Sequence, residues 1–255
     1  MKIASIQMSV GDETKPQRID RAEKLLGHAK GADLVILPEI WNTGYFCFDR
    51  YESEAEPIHG TTFQRMSSIA KQHGFYLHMG SFVETWNDEL YNTSLLIDPH
   101  GISIGVYRKM HLFGYGSRES QILTRGNEVV VIETELGKIG MSTCYDLRFP
   151  ELFRSMVDKG AELFLVTSGW PYPRLEHWLM FNRIRAIENT AFLASSNCVG
   201  INRGFRFCGH SMVVDPWGVI VSSGGDEECI IKAEIEMRRV EATRKEFPAL
   251  TDRVL

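Results

Sequence analysis

Three reactive side chains stand where short apolar runs of the sequence end. Glu39 follows LVILP, Lys109 follows GVYR, and Cys144 follows KIGMST. Loops just beyond strand ends are where open α/β sheets place functional groups. A carboxylate, an ammonium and a thiol are the groups that acyl transfer at an amide carbonyl requires, so their types and placement predict an acyl-transfer site.

The chemistry assigns a different part to each group. A thiol attacks a carbonyl carbon only when a base accepts its proton, because the free thiol is mostly protonated at neutral pH. Glu39 would accept that proton, since burial raises the pKa of a carboxyl group towards neutrality. Lys109 would stabilise the oxyanion, helped by a backbone N–H just after Cys144. The loss of one such donor typically costs roughly 100- to 1,000-fold in rate.

The residue types alone also allow a structural interpretation. Free cysteines are among the most buried residues and most are inert, so by type Cys144 is more often a packing residue than a nucleophile. Glu39 directly follows Pro38 and could cap a helix, and Lys109 could be an ordinary surface charge. A decision between these interpretations needs a pattern that covers more of the chain.

Strand-like and helix-like segments alternate along the sequence. Strands are predicted for KIASIQMSV, ADLVILPE, FYLHMGSFVE, AELFLVTSGW and AFLASSNCVG, with hairpins at residues 98–101, at Gly137 and within HSMVVDPWGVIVSSG. Helices are predicted for residues 16–30, 61–73, 150–159 and 175–190. With no repeat or linker, the pattern predicts one α/β (α+β) domain over residues 1–255, with buried sheets flanked by helices. It leaves the strand order open.

Composition narrows the classes of function and location. The 255 residues carry 33 acids and 28 bases, a net charge of −5 without a block of one sign, which argues against nucleic-acid binding. No basic amphipathic stretch suggests a membrane surface, and no run approaches a membrane span. The N-terminus lacks a signal peptide, which predicts a cytoplasmic location. The five scattered cysteines include no C-x-x-C pair, so a disulfide framework is not expected.

Five segments resemble, in order and spacing, the sequence blocks of the nitrilase superfamily of carbon–nitrogen hydrolases. The signature blocks are LVILPEIWNTGY, YRKMHLF and STCYDLRFPELFR, and the later blocks are NRIRAIENTAFLASSN and GHSMVVDPWG. The resemblance spans nearly the whole chain and is specific, because five separate motifs fall in the correct order. It implies a four-layer αββα sandwich, with two sheets packed face to face and helices outside.

The catalytic residues of the family map by resemblance onto this sequence. Glu39 corresponds to the general base, Lys109 to the oxyanion holder and Cys144 to the nucleophile. A second glutamate matches Glu119 in GYGSRES and would orient Lys109 or the substrate. Tyr145 would supply another oxyanion donor through its backbone N–H. The implied reaction proceeds through a thioester and needs no metal and no cofactor.

The segment SGWPYPRLEHW resembles the omega-amidase branch of the family, which hydrolyses 2-oxoglutaramate. Such substrates are short and carry a carboxylate at the end away from the amide, and arginine suits a carboxylate through its two-pronged geometry. Arg174 is the first candidate for that contact, against the alternative that it only begins a helix. Arg148 is the second candidate, unless it pairs with Asp146 or Glu151.

The remaining features of the substrate pocket stay open. Trp170 and Phe46 are candidate pocket walls, although aromatic residues beside strand ends are more often core. An N-carbamoyl compound, a deaminated glutathione-type amide or, less favoured, a nitrile would use the same triad. The family commonly forms dimers, and the apolar helices ELFRSMV and HWLMFNRIRAI would suit a homodimer contact. Helices of that pattern are as often covered by their own domain.

Three other functions fit single features of the sequence. Cys198, Cys208 and His210 could ligate a metal, but their spacing matches no zinc pattern. An accessible Cys144 could act as a redox sensor, but no resolving cysteine is adjacent in sequence. A binding protein that has lost its chemistry would lack a member of the triad, and none is missing.

Overall fold

The computed structural model describes residues 1–254, which form two large β-sheets with helices outside them. The strands, in chain order, are β1 (Lys2–Gln7), β2 (Leu34–Ile36), β3 (Tyr76–Trp86), β4 (Glu89–Ile97), β5 (Ser103–Arg108), β6 (Val131–Thr134), β7 (Gly137–Thr143), β8 (Leu163–Ser168), β9 (Phe192–Asn197), β10 (Ile201–Asn202), β11 (Phe205–Arg206), β12 (Met212–Val214), β13 (Ile220–Ser223) and β14 (Cys229–Glu234). The α-helices are α1 (Lys15–His28), α2 (Tyr51–Glu54), α3 (Thr61–His73), α4 (Glu119–Ile122), α5 (Pro150–Asp158), α6 (Leu175–Asn189) and α7 (Arg238–Glu246). Short 3₁₀ helices cover Phe48–Arg50 and Cys144–Arg148.

The two sheets have the same internal plan. The first has the order β14-β1-β2-β3-β4-β5 and the second the order β13-β12-β9-β8-β7-β6. In each, the pairs among three central strands are parallel (β1-β2-β3 and β9-β8-β7), and the flanking pairs are antiparallel. Central parallel strands must be covered on both faces, which explains why β2, β8 and β9 are buried along their whole length.

Side chains of the strands point alternately to the two faces of each sheet, and this divides the core into two regions. Ile3 and Ile36 of the first sheet face the second sheet and belong to the apolar cluster that also contains residues of α5 and α6. Ala4 and Val35, one residue along, face the opposite way and pack with α1 and α3. Successive side chains of a strand point to opposite faces, so each sheet is apolar on both sides. The layers are therefore helix, sheet, sheet and helix.

Small hydroxyl side chains join the two sheets across their shared face. The bonds run from Ser5 Oγ to the carbonyl of Ser195 (2.6 Å), from Ser196 Oγ to that of Ile6 (2.6 Å), and from Thr167 Oγ1 to that of Leu37 (2.9 Å). Such bonds satisfy groups that would otherwise be buried without partners. The third bond fixes the end of β2 against the end of β8, two residues before Glu39.

The segment that carries Glu39 is held by a bulge in the neighbouring strand β3. The register between β3 and β4 shifts between His78 and Ser81. At the bulge, Gly80 has φ +68°, and a Cβ on it would lie 2.1 Å from the Pro38 carbonyl oxygen. Positive φ and close backbone approach are both conditions that favour glycine. The bulge thus determines where Glu39 sits.

The αββα sandwich and the single α/β domain expected from the sequence are confirmed. The predicted helices agree to within two residues at each end; the first begins at Lys15 and ends at His28 rather than spanning 16–30. The sequence predictions missed β14 and α7, and also the shorter elements α2, α4, β10 and β11. The α7 sequence RRVEATRKE is mostly charged and buries only Val240 and Thr243, so it has almost no apolar periodicity to detect. No helix within residues 1–254 is long and apolar enough to cross a membrane.

The close approach at Gly80 predicts a difference between two glycines with the same backbone angle. Gly74 also has φ +68°, but nothing lies within 4 Å of a Cβ placed on it. We expect Gly74→Ala to lower the free energy of unfolding by about 1–2 kcal/mol, the cost of left-handed backbone alone. Gly80→Ala should lower it by at least about 3 kcal/mol, because the Pro38 carbonyl must move as well.

Urea denaturation of the two variants measures this difference. The folded fraction of Gly80→Ala should also lose activity, since its clash displaces the chain on both sides of Glu39, whereas Gly74→Ala should retain it. Equal losses of stability in the two variants would contradict the assigned role of the bulge.

Candidate active site

The predicted reactive residues meet at one end of the sandwich. Glu39 lies just beyond β2, Lys109 directly follows β5, and Cys144 directly follows β7. Glu39, Lys109 and Glu119 have no exposed surface, and Cys144 is 6% exposed. Both sheets contribute, since β2 and β5 belong to the first and β7 to the second. The interpretations of Lys109 as a surface charge and of Glu39 as a helix cap are therefore wrong.

A buried ion cluster surrounds the Lys109 ammonium. Lys109 Nζ donates to Glu39 Oε1 at 2.8 Å, to Glu119 Oε1 at 2.8 Å and to Glu119 Oε2 at 2.9 Å. Burial opposes the charge on Lys109, but the carboxylates of Glu119 and Glu39 outweigh it and hold the pKa of Lys109 well above its usual range. The lysine is therefore a permanent cation at the base of the site.

Glu39 accepts hydrogen bonds on both carboxylate oxygens. Oε1 receives Asn92 Nδ2 at 2.8 Å in addition to Lys109, and Oε2 receives the backbone N–H of Gly169 at 2.8 Å. Burial raises the pKa of Glu39 above its ordinary value, against the opposing effect of Lys109, and the nearby charge of Glu119 raises it further. A carboxylate whose pKa is shifted towards neutrality is suited to accept a proton and return it.

Glu119 opens the short helix α4 and faces the other side of Lys109. Its Oε2 also accepts the Tyr45 hydroxyl at 3.1 Å and the Phe113 backbone N–H at 2.7 Å, and its Oε1 accepts Asn92 Nδ2 at 2.9 Å. These bonds tie the loop after Lys109 to the ion cluster. Of the two roles expected for Glu119, its contacts fit the orientation of Lys109.

Cys144 occupies a turn with unusual backbone geometry. Its φ is +48°, in the left-handed region that non-glycine residues seldom adopt, directly after β7. Asp146 holds this turn by accepting the Thr143 N–H at 2.9 Å, and it also accepts the Tyr107 hydroxyl at 2.6 Å and the His111 N–H at 3.1 Å. The turn of the thiol is thus bonded to the segment that carries Lys109.

The Cys144 thiol needs a base before it can attack. Burial raises its pKa well above the ordinary value, the charge of Glu39 adds to the rise, and Lys109 opposes it. The resting thiol is therefore protonated at neutral pH. Attack on a carbonyl requires that a neighbouring group accept the proton as the bond forms.

A small cavity opens over the Cys144 thiol. No acidic side chain contributes to its wall, and two arginines do. The lining residues are Tyr45, Phe113, Cys144, Tyr145, Arg148, Gly169, Trp170, Pro171 and Arg174.

The model of the carbon–nitrogen hydrolase family matches residues 2–245. The chain belongs to the carbon–nitrogen hydrolase family. The resemblance to the nitrilase superfamily is thereby confirmed, and with it the expectation of an enzyme that hydrolyses carbon–nitrogen bonds.

Individual relatives agree with this assignment. A 2-oxoglutaramate amidase of Bacillus subtilis is 36% identical, over 98% of this chain and 96% of its own. The crystal structure of Saccharomyces cerevisiae Nit3, a member of branch 10 of the nitrilase superfamily, superposes with a TM-score of 0.92 at 32% identity, covering 100% of this chain and 97% of Nit3. A mutant amidase of Nesterenkonia sp. AN1, with acrylamide added to its active-site cysteine, has a TM-score of 0.86 at 25% identity, covering 97% and 98%.

The two arginines of the hydrolase cavity have different surroundings. Arg148 lies over the Trp170 ring at 5.2 Å and its Nη2 is 3.0 Å from His177 Nδ1. Burial lowers its pKa, and the nearby Arg174 guanidinium adds to that effect. Arg174 lies over the Phe113 ring at 5.3 Å. Within residues 1–254 neither arginine forms an ion pair, so Arg148 does not pair with Asp146 or Glu151.

Arg174 both begins a helix and lines the cavity. It is the N-cap residue of α6, and its side chain lines the cavity. Trp170 also lines the cavity, and its Nε1 donates to the Arg174 carbonyl at 2.9 Å. A single hydrogen bond therefore links a cavity wall to the start of the helix that carries Arg174.

Phe46 does not line the cavity of the hydrolase. Its ring stacks on Phe205 at 4.4 Å and on Phe207 at 5.5 Å, so its surroundings are aromatic packing. Tyr45, one residue earlier, lines the cavity instead and reaches Glu119. The prediction of Phe46 as a wall is wrong because the direction in which a loop residue points has no sequence period to reveal it.

Asn92 and Tyr45 are functional candidates that sequence reasoning missed. Tyr45 lies inside the block LVILPEIWNTGY and Asn92 in strand β4, yet their contacts are with residues far along the chain. The available signal for Asn92 was a side-chain amide within a predicted strand, because such a group needs a partner if the strand is buried. Tyr45 carried no comparable signal.

The candidate metal ligands have other partners in the hydrolase. His210 Nδ1 lies 2.7 Å from the Cys208 carbonyl oxygen, and Cys208 Sγ lies 3.3 Å from Asn197 Nδ2. Across residues 1–254, no group of at least three His, Cys, Asp or Glu side chains is arranged to hold a metal ion.

Proposed function

We propose that this hydrolase is a cysteine-dependent amidase that cleaves the terminal amide of a short, carboxylate-bearing substrate such as 2-oxoglutaramate. The observation that carries the proposal is the small cavity over Cys144, which holds Arg148 and Arg174 and no carboxylate. Two guanidinium groups without ion-pair partners among the described residues are suited to an anionic substrate. The name of the Bacillus subtilis relative, a 2-oxoglutaramate amidase, supports the same substrate.

The first half of the reaction would form a thioester. Glu39 accepts the proton of Cys144 as the sulfur attacks the amide carbon, and the carbonyl oxygen becomes an oxyanion. Lys109 Nζ and the backbone N–H of Tyr145 stabilise that oxyanion. The C–N bond then breaks, Glu39 returns its proton to the nitrogen, and ammonia leaves.

The second half would regenerate the thiol. Water takes the place of ammonia, and Glu39 accepts one of its protons as the oxygen attacks the thioester carbon. A second oxyanion forms in the same position and collapses, the C–S bond breaks, and the proton on Glu39 passes to the Cys144 sulfur. The carboxylic acid product leaves, so one base serves both halves of the cycle.

The charge of the cavity favours a 2-oxo acid over a 2-amino acid. L-Glutamine has the same chain length as 2-oxoglutaramate, but it carries an ammonium group beside its carboxylate. The ammonium group of L-glutamine would lie near the guanidinium groups of Arg148 and Arg174, and like charges in one small site cost free energy. No acidic side chain lines the cavity to offset that cost. A keto oxygen in that position is instead an acceptor for a guanidinium N–H.

The first prediction concerns substrate and nucleophile together. The purified protein should release ammonia from 2-oxoglutaramate, much more efficiently than from L-glutamine at equal concentration. Cys144→Ala should lose at least roughly 1,000-fold in rate, because removal of a nucleophile usually leaves only residual catalysis.

Each outcome of the ammonia assay has a distinct meaning. Equal rates with the two amides would contradict the argument from cavity charge. Activity on an N-carbamoyl compound or a glutathione-type amide alone would retain the mechanism and reject the substrate. A folded protein that releases no ammonia from any amide would contradict the proposed function.

The second prediction assigns the carboxylate contact to Arg174. Arg148 is already occupied by His177 and the Trp170 ring, whereas the Arg174 guanidinium makes no hydrogen bond to any residue in the described range. We expect Arg174→Met to lower kcat/KM for 2-oxoglutaramate by roughly 10- to 100-fold, the value of a charged hydrogen-bonded pair.

An uncharged amide of similar length separates carboxylate binding from general damage. Arg174→Met should leave hydrolysis of that amide nearly unchanged, and the exposed Arg238→Met should change neither substrate. An equal loss with charged and uncharged amides would contradict the assignment of the carboxylate contact.

We also propose a homodimer, with α6 at its contact. Met180, Ile184 and Ile187 lie three or four positions apart on this helix and are 55%, 37% and 45% exposed. The other predicted helix, α5, turns Leu152, Phe153, Met156 and Val157 into its own core, so its apolar pattern is already satisfied.

Light scattering should give twice the 29.0 kDa chain mass, and Ile184→Glu should reduce it to one chain. A monomer in the unmodified protein would overturn this proposal.

Other expectations from the sequence stay predictions. The match of the family model over residues 2–245 supports a single hydrolase domain across 1–255. The cytoplasmic location, and the expected lack of a nucleic-acid or membrane partner, rest on composition and on the N-terminal sequence alone.

A further inference from the structure

Asn92 connects the two carboxylates of the ion cluster. It lies in β4 with no exposed surface, and its Nδ2 donates to Glu39 Oε1 at 2.8 Å and to Glu119 Oε1 at 2.9 Å. Its backbone carbonyl accepts the N–H of Lys109 at 2.9 Å. One residue therefore contacts all three charged groups.

The orientation of the Asn92 amide follows from its surroundings. The reverse orientation would place Oδ1, which only accepts, against two carboxylate oxygens that also only accept. In the observed orientation Oδ1 is buried and has no hydrogen-bond partner within the described chain. An unsatisfied buried acceptor is costly, so the two bonds made by Nδ2 are the interactions that determine this arrangement.

The bonds around Glu39 leave its two oxygens unequal. The groups bonded to Oε1 are Lys109 Nζ and Asn92 Nδ2, and both are donors. A proton on Oε1 would face two other N–H groups and have no acceptor. Oε2 receives only the Gly169 N–H, so it retains a lone pair for a further proton.

Glu119 differs from Glu39 in the number of its donors. It accepts five hydrogen bonds spread over both oxygens, from Lys109 (two), Asn92, Tyr45 and Phe113. Neither oxygen is open to a further proton. The shared Asn92 amide thus lies between a carboxylate that only balances charge and one that can exchange a proton.

We propose that Asn92 is a positioning residue, which reserves Oε1 of Glu39 as a hydrogen-bond acceptor and so directs the transferred proton to Oε2. The proposal rests on the proposed role of Glu39 as the base. The side-chain hydrogen bonds of Asn92 go to the two carboxylates and it does not line the cavity, so it acts through Glu39.

Replacement of Asn92 should shift the acid limb of the pH profile. The ionised form of Glu39 is the active base, so kcat/KM rises with pH as Glu39 loses its proton. Asn92→Leu removes a donor to that carboxylate, and Asn92→Asp removes it and adds a third carboxyl group. Both changes disfavour the ionised form, so the acid limb should move to higher pH, by roughly one to two units in Asn92→Leu and further in Asn92→Asp.

A matched control separates this effect from the loss of any buried amide. Asn182 in α6 is equally buried, its Nδ2 donates to the Trp178 carbonyl at 2.7 Å, and its Oδ1 also lacks a partner in the described chain. Asn182→Leu should leave the acid limb where it is in the unmodified protein. Circular dichroism establishes whether each variant is folded. If Asn92→Asp is not folded, Asn92→Leu alone is compared with the control.

A second readout keeps this test independent of the substrate. The rate at which iodoacetamide alkylates Cys144, followed by protein mass across pH, also depends on a base that accepts the thiol proton. If no amide is hydrolysed, the proposed function fails, but a shift of the alkylation profile in Asn92→Leu still supports the inference. An unshifted profile in folded Asn92→Leu, or an equal shift in Asn182→Leu, would overturn it.

Discussion

The burial of one ammonium between two carboxylates is the interaction on which the rest of this site depends. Removing such charges from water costs several kcal/mol per ion, and removing one partner from a buried pair typically costs about 3–5 kcal/mol. Lys109 is stable there because Glu39 and Glu119 both face it, and because further donors satisfy their remaining lone pairs. The favourable free energy of folding therefore offsets the cost of burying these charges, and the cluster would not persist outside the fold.

The double sheet is what brings this cluster together. Glu39 and Lys109 follow strands of one sheet, whereas Cys144 and Gly169 follow strands of the other. A shift of one sheet relative to the other would separate the base from the thiol, and the hydroxyl bonds between the sheets oppose such a shift. Rigid strands also hold the unusual backbone of Cys144, which a flexible loop would relax.

Much of this arrangement could be predicted from the sequence, and the remainder could not for physical reasons. The reactive triad follows apolar runs that read as buried strands, and the ordered motifs indicated the αββα fold. The role of Asn92 was not predicted because its partners come from two distant segments, and hydrogen bonds across a site have no sequence period. Tyr45 lines the cavity instead of the predicted Phe46 for a similar reason, since adjacent loop residues point in directions set by tertiary packing. The helix α7 was missed because its stability comes from docking rather than from an apolar stripe.

The most direct test of the thioester mechanism is the mass of the protein after turnover of 2-oxoglutaramate has been stopped by acid. The thioester mechanism predicts a species heavier by the mass of the substrate less ammonia, with the addition located on Cys144 by peptide mapping and absent from Cys144→Ala. Hydrolysis without any such adduct, or an adduct on another residue, would contradict the thioester mechanism and the assignment of Cys144 as the nucleophile.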